Sequence, residues 1–265
     1  MTMKILPGEV RLEQEGFVAI VTIDRPAKLN SMTVAMDDQM NRLMYEINQD
    51  STIRTVVLTG AGDRAFSAGS DVNDLGEYGS NWEYRNRFDA RKDYARAIWL
   101  CRKPVIAAIN GYCIGGGLEM ACASDIRIAT PHSSFGASEI RWGWHGGSGA
   151  TQLLTHVIGP GNAARLLMTG DRISGEEAFR IGLVQQLVEP SSLMTTCQAL
   201  AEQISSLSPI AIEKVKHMIR IAQNVPLDVA LLVENDSFAY CMLTSDAQEG
   251  RRAFAEGRPP RFEGR

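Results

Sequence analysis

The sequence predicts an α/β protein, with strands and helices alternating through a core to about residue 200 and a helical region over 201–265. Three observations carry that expectation. Short β-rich runs recur at 17–24, 55–62, 105–111 and 125–130. Segments with apolar residues at helical spacing lie between them, and after Gly149 such segments dominate. The composition is globular: 265 residues, 45% hydrophobic and 22% charged, enough for one large core without disulfides or metals.

Taken in order, FVAIVTID (17–24) is an apolar, β-branched strand, and after Arg25-Pro26 the residues Met36, Met40, Leu43, Met44 and Ile47 share one helix face. TVVLTGAG (55–62) is a second strand ended by glycines. A helix is expected over 85–100, and Pro104 opens a third strand, VIAAING (105–111). Gly115, Gly116 and Gly117 precede a short helix over 118–123, and DIRIAT (125–130) alternates as a fourth strand. Apolar strands separated by helices argue for parallel strands with both faces covered. Helical patterns then occupy 151–158, 162–168, 175–181, 191–206, 209–223 and 226–243, with a short apolar run at 183–188.

Several function classes are excluded early. The net charge of −4 gives a polyanion no global attraction, so no nucleic-acid partner is expected. No run approaches the roughly 20 apolar residues of a membrane span. Residues 1–16 hold three acidic residues and a proline where a secretory signal keeps its apolar run, so a cytoplasmic location is expected. Cys101, Cys113, Cys122, Cys197 and Cys241 are odd in number with no CxxC, and the four histidines lack ligand spacing, so neither a disulfide framework nor a metal is expected. Gly159 to Ala164 matches a loose GxGxxA pattern but follows a helix instead of a strand. Gly146 to Ala150 narrowly misses the GxSxG nucleophile elbow and has no obvious His/Asp partners.

The most informative segment is Asn110 to Glu119, NGYCIGGGLE. Three glycines between a strand and a helix strip the turn of Cβ atoms, so backbone NH groups at the positive helix end can approach an oxyanion. A plain tight turn is the alternative, but one glycine usually suffices for that. A second glycine turn, Phe66 to Asp71, follows the strand at 55–62, and two such turns can each aim one NH at the same oxygen. Taken alone it reads better as a surface turn. Glu119 opens an otherwise apolar helix, either as a functional carboxylate or as an exposed first-turn residue. Glu139 follows twenty positions later between Gly136 and Gly143. If the two converge on one pocket, mutual repulsion pushes their pKa values apart and lets them manage a proton.

Together, Arg25-Pro26-Ala-Lys-Leu-Asn30, Ala65-Phe66-Ser-Ala-Gly-Ser70-Asp71, Lys103-Pro104 to Gly111, GGGLE, Ser124-Asp125-Ile126, Phe135 to Glu139, Thr169-Gly-Asp171, AFRIGLV (178–184) and Glu249 to Phe254 form a series. That series resembles the crotonase superfamily, the enoyl-CoA hydratase/isomerase family, over nearly the whole chain. The resemblance implies a ββα spiral with two roughly perpendicular sheets, and a C-terminal helical region serving a homotrimer or a hexamer built as a dimer of trimers. It implies an acyl-CoA thioester substrate with no separate cofactor. Residue by residue, the NH groups of Ser70 and Gly116 become the oxyanion hole. Ala27, Lys28, Leu29, Ala68, Asp71, Val72 and Asn73 become the CoA and substrate contacts. Glu119 and Glu139 stand where the family's hydratases carry their catalytic pair, which makes hydration of a 2-enoyl-CoA the leading reaction. Isomerisation, dehydration of a hydroxyacyl-CoA and a non-catalytic binding role are the alternatives.

Departures from the family pattern follow the second glutamate. An apolar residue, Pro, Gly and a later Arg are common there; this chain has His145, Gly146, Gly147 and Leu153. Asn73 stands where a lysine often reaches the CoA phosphates. Trp142 and Trp144 add bulk beside Glu139. With Arg141, Trp144 and His145 as acyl-pocket candidates, the acyl group is expected to be branched or carboxylated.

Overall fold

The computed structural model describes residues 8–73 and 93–265. Of the helix expected over 85–100, residues 85–92 lie outside them; the described part runs over 94–100.

Two sheets organise the chain. Strands β1 (Glu9–Glu15), β2 (Val18–Asp24), β3 (Thr55–Gly60), β5 (Val105–Ile109), β7 (Ile126–Ala129) and β10 (Gln186–Leu187) form a six-stranded sheet in that order. Only β1 runs antiparallel to its neighbour. Strands β4 (Ala65–Ser67), β6 (Tyr112–Ile114), β8 (Ser134–Gly136) and β9 (Arg172–Ser174) form the second sheet, with β4, β6 and β8 parallel. The chain thus visits the large sheet, turns a corner into the small one and returns through a helix: β3 then β4, β5 then β6, β7 then β8. This is the ββα spiral, and it replaces the single doubly wound sheet that alternation alone suggests.

The helices, in chain order, are α1 (Val34–Gln49), α2 (Tyr94–Leu100), α3 (Gly116–Ala123), α4 (Ala150–Thr169), α5 (Gly175–Arg180), α6 (Leu193–Ser205), α7 (Pro209–Ala222), α8 (Leu227–Met242) and α9 (Ser245–Glu256). Thr33 caps α1 by accepting the Met36 NH, and Met36, Met40, Met44 and Ile47 turn its apolar face inward. β3 and β5 are buried along their whole length, as parallel strands covered on both faces must be. One face packs against α1 to α4, and the other carries Val18, Val57, Ile106, Ala108 and Ile128 against Leu193, Cys197 and Ala201 of α6. The helices expected at 151–158 and 162–168 follow each other within α4 and are separated by a kink, where Gly159 leaves helical geometry at φ 76° and ψ 162° before Pro160.

Side chains satisfy the backbone at each corner, because buried turns cannot borrow water. Asn30 is fully buried; it donates to the carbonyls of Ala61 (2.9 Å) and Ala65 (2.7 Å) and accepts the Arg25 NH at 2.9 Å. Asn110 donates to Gly60 O and Gly62 O at 2.8 and 2.6 Å. Ser133 donates to Ile109 O at 2.8 Å. Among the described residues no helix is long and apolar enough to cross a membrane.

Candidate active site

The parallel strands of the small sheet end side by side, at Ser67, Ile114 and Gly136. The segments leaving those ends, 68–72, 115–119 and 138–148, converge on one cavity of about 830 Å³. Crevices at the carboxyl ends of parallel strands are where α/β folds place ligands.

The three glycines of the central turn each admit a different neighbour. Gly115 has φ 56°, and a Cβ there would lie 2.9 Å from Glu139 Oε1. A Cβ on Gly116 would run into the Tyr94 hydroxyl, and one on Gly117 into the Ser67 carbonyl. The two glycine turns also touch, since a Cβ on Gly69 would sit 2.5 Å from Gly116 N. Ser70 and Gly116 both line the cavity, and among the described residues the NH of neither donates a hydrogen bond. The Ser70 hydroxyl is hydrogen-bonded to Tyr94 Oη at 3.0 Å.

Glu119 and Glu139 both line the cavity. Glu119 is 2% exposed inside α3, every residue of which is buried. Its Oε1 accepts the NH of Ser148 at 2.8 Å and of Ala150 at 3.3 Å. Burial pushes its pKa up to about 7, the Glu139 and Asp93 carboxylates add to the rise, and the two NH donors oppose it. Glu139, in the 3-10 turn Ser138–Trp142, is also raised by burial, against the nearby His145 and backbone NH bonding. Its Oε2 is buried with no hydrogen-bond partner among the described residues.

Of the remaining sequence candidates, Leu29, Ala68, Val72, Trp144 and His145 line the cavity, whereas Ala27, Lys28, Asp71, Asn73 and Arg141 do not. Asp71 is buried and locks its loop, accepting Arg25 Nη1 at 2.7 Å and the Asn73 NH at 3.0 Å. Arg141 pairs with Asp171 at 2.7 Å on the surface. His145 Nδ1 lies 2.8 Å from Gly146 O; a carbonyl only accepts, so Nδ1 carries the proton and donates. The lining also includes Tyr94, Tyr112, Arg64 and Arg172, none of which sequence reasoning singled out. Arg172 lies over the Tyr112 ring at 5.7 Å. The signal for Arg64, Tyr112 and Arg172 was the strand ends themselves, once β4, β6 and β9 are recognised, whereas Tyr94 opens a helix. Among the described residues no cluster of three His, Cys, Asp or Glu could hold a metal ion.

The raised Glu119 has a thermodynamic consequence. Its ordinary pKa is 4.5, so between about 4.5 and 7 the folded protein binds more protons than the unfolded chain and loses stability as pH rises. Glu119→Gln keeps an oxygen for the Ser148 NH and deletes the charge. Its Tm should therefore exceed that of the wild type at pH 8, with the gain shrinking towards pH 4.5. Thermal melts across that range check this; a pH-independent difference would contradict it.

Comparison with known proteins agrees with this architecture. Residues 13–265 match the family model described as enoyl-CoA hydratase/isomerase. The chain is 40% identical over 257 residues to the short-chain-enoyl-CoA hydratase of Clostridium acetobutylicum, covering 95% of this chain and 96% of that protein. It is 36% identical over 256 residues to the (E)-benzylidenesuccinyl-CoA hydratase of Thauera aromatica, covering 96% and 99%. The crystal structure of an enoyl-CoA hydratase from Bacillus anthracis superposes with a TM-score of 0.91 at 33% identity, covering 97% of this chain and 99% of that one. With a family match over most of its length and a shared spiral of two sheets, the chain belongs to the enoyl-CoA hydratase/isomerase family.

Proposed function

We propose that the protein adds water across the 2,3 double bond of an enoyl-CoA thioester. The observation that carries this reading is the pairing of two backbone NH groups, on Ser70 and Gly116, that donate no hydrogen bond among the described residues, with two buried carboxylates around one cavity. The thioester carbonyl oxygen accepts both NH groups. That polarises the conjugated system, makes Cβ electrophilic and stabilises the enolate charge, each donor contributing about 10²- to 10³-fold. Glu119, basic because it is buried beside two other carboxylates, takes a proton from water as the oxygen attacks Cβ. Glu139, whose raised pKa favours its protonated form, delivers a proton to Cα. The two steps need no metal or redox cofactor. Leu29, Ala68 and Val72, on the cavity wall, are assigned to the CoA, and the cationic side chains of Arg64 and Arg172, on the same wall, to its phosphates. Leu227, Leu232, Phe238 and Leu243, exposed on or just after α8, suit burial between subunits of a trimer or hexamer.

Glu119→Gln and Glu139→Gln should each lower hydration of crotonyl-CoA by at least about a hundredfold while thioester binding survives. Because Glu119 must be ionised to act, wild-type kcat/KM should rise as pH passes upward through about 7. Solvent-oxygen incorporation at Cβ separates hydration from isomerisation, and near wild-type turnover in either variant removes that glutamate from the mechanism.

The oxyanion contacts predict an asymmetry. Gly116→Val drives a side chain into Tyr94 and should abolish turnover, whereas Ser70→Ala loses one hydroxyl contact and keeps the NH. Its loss should stay within about tenfold. Equal large losses would assign the Ser70 hydroxyl, not its NH, to the carbonyl.

For the acyl group, Trp144 and His145 on the cavity wall favour a branched or carboxylated chain. With Nδ1 committed to Gly146 O, only His145 Nε2 remains to face substrate. A polar group that a plain alkyl chain leaves unpaired costs about 1–3 kcal/mol. Wild type should therefore prefer a carboxylated or β-branched enoyl-CoA over crotonyl-CoA, and His145→Leu should narrow the ratio. An unchanged preference for crotonyl-CoA in both overturns the assignment.

A further inference from the structure

Asp93 stands outside the glutamate pair, yet it is fully buried. It opens α2, its Oδ1 accepting the Arg96 NH at 2.8 Å. Capping needs one oxygen and is served as well by neutral serine or threonine, so the cap alone does not account for a buried carboxylate. The second oxygen, Oδ2, accepts the Ser148 hydroxyl. Ser148 is also the residue whose NH is bound to Glu119 Oε1 at 2.8 Å. A continuous path therefore runs from Asp93 through Ser148 to Glu119, joining segments 55 and 29 residues apart in sequence.

The need for such a tether is written in the loop. From Gly146 to Gly149, Ser148 is the one residue with a side chain, and Gly149 takes φ 102°. A run of glycines leaves the backbone many conformations of similar energy, so the donor NH at 148 holds its direction only if something anchors it. The Ser148 hydroxyl on Asp93 is that anchor.

We propose that Asp93 is a positioning residue for the hydration inferred above: through Ser148 it fixes one oxygen of Glu119 and leaves the other directed at the reacting water. Its second effect is electrostatic. Among the described residues, the charged or titratable groups facing Glu119 are Asp93 from the N-cap of α2, Glu139 from the 3-10 turn and Cys122 from its own helix; His145 acts on Glu139. Of this set Glu139 takes part in the chemistry and Cys122 is a buried thiol pushed up to about 12, so Asp93 is the non-reacting carboxylate, and its negative charge makes Glu119 a stronger base.

The test is crotonyl-CoA hydration between about pH 5 and 9, followed by loss of the conjugated thioester absorbance, in wild type, Ser148→Ala, Asp93→Asn, Asp93→Ser, the Ser148→Ala/Asp93→Asn double variant and Glu119→Gln. Ser148→Ala keeps the NH and loses the anchor, so kcat should fall about tenfold with KM within about twofold. Asp93→Asn removes the charge, and the acid limb of kcat/KM should move to lower pH by roughly half a unit. Asp93→Ser retains a helix cap and guards against misfolding; it should show the same shift. The double variant should lose less than the product of the single losses, since both cut one path. If Glu119→Gln is inactive while Ser148→Ala keeps its kcat and neither Asp93 variant moves the acid limb, the positioning role is overturned and hydration stands. If Glu119→Gln keeps its turnover, both fall together.

Discussion

A carboxylate held inside an apolar helix sets the terms for everything around it. Every residue of α3 is buried, and Glu119 is the one ionisable side chain in that helix besides the thiol of Cys122. An unpaired charge in such surroundings costs several kcal/mol, so the fold supplies partial compensation. Two NH groups from the 148–150 segment reach one oxygen, and the helix N-terminus lies within a turn. Compensation stops short of full: burial still outweighs it, and Glu119 remains a group that binds a proton near neutrality. A more generous environment would have produced a stable, weakly basic salt-bridge carboxylate of the kind seen at Glu249, held down at about 2 chiefly by Arg258. The difference between those two glutamates is the difference between a charge held in ion pairs and a group left able to exchange a proton near neutrality.

The small sheet exists to bring backbone close to backbone. Its strands are three residues long, too short to contribute much burial, but β4, β6 and β8 end side by side where the two glycine turns meet, with a register shift between β4 and β6. Side chains are excluded at the contacts that matter: Gly117 faces the Ser67 carbonyl, Gly116 the Tyr94 hydroxyl, Gly69 the Gly116 nitrogen. Adjacent residues at the start of α2, its N-cap Asp93 and its first residue Tyr94, then brace the two halves, Tyr94 at Ser70 and Asp93 at Ser148. Displacing the start of this helix would disturb both the NH pair and the loop that holds Glu119.

Legibility in the sequence follows burial and length. Strands β2, β3, β5 and β7 and most helices were visible because each repeats an apolar pattern over four or more residues. The strands of the small sheet have no room for a period, so only a resemblance to known proteins could supply the second sheet. β1 escaped for another reason: it is an edge strand whose side chains are mostly exposed and charged, which reads as loop. Glu119, Glu139 and the two glycine turns stand out in the sequence because glycine turns and isolated carboxylates are unusual, whereas Ser70 and Gly116 are singled out within those turns only by the resemblance. Asp93 and Tyr94 were not, since an Asp before an apolar run signals a helix cap and nothing more. The asparagines at 30 and 110 show the reverse case: prominent in the motif series, they serve to satisfy backbone carbonyls at the corners.

The same division runs through Asp125, which the motif series also contains. It accepts the Val105 NH at 2.7 Å and Lys216 Nζ at 2.5 Å, with Arg220 at 3.6 Å. Lys216 is itself buried and donates to the Lys103 carbonyl at 2.6 Å. One carboxylate therefore joins the start of β5 to α7, and Arg54 adds bonds to the Ser205 and Phe262 carbonyls at 3.0 and 2.9 Å. These contacts place α7 and the C-terminal tail on the core of their own chain. α8 makes no such commitment: it buries no residue, although its composition is largely apolar. The docking of α7 fixes which apolar faces of α8 stay exposed, the faces that the proposed trimer or hexamer would cover.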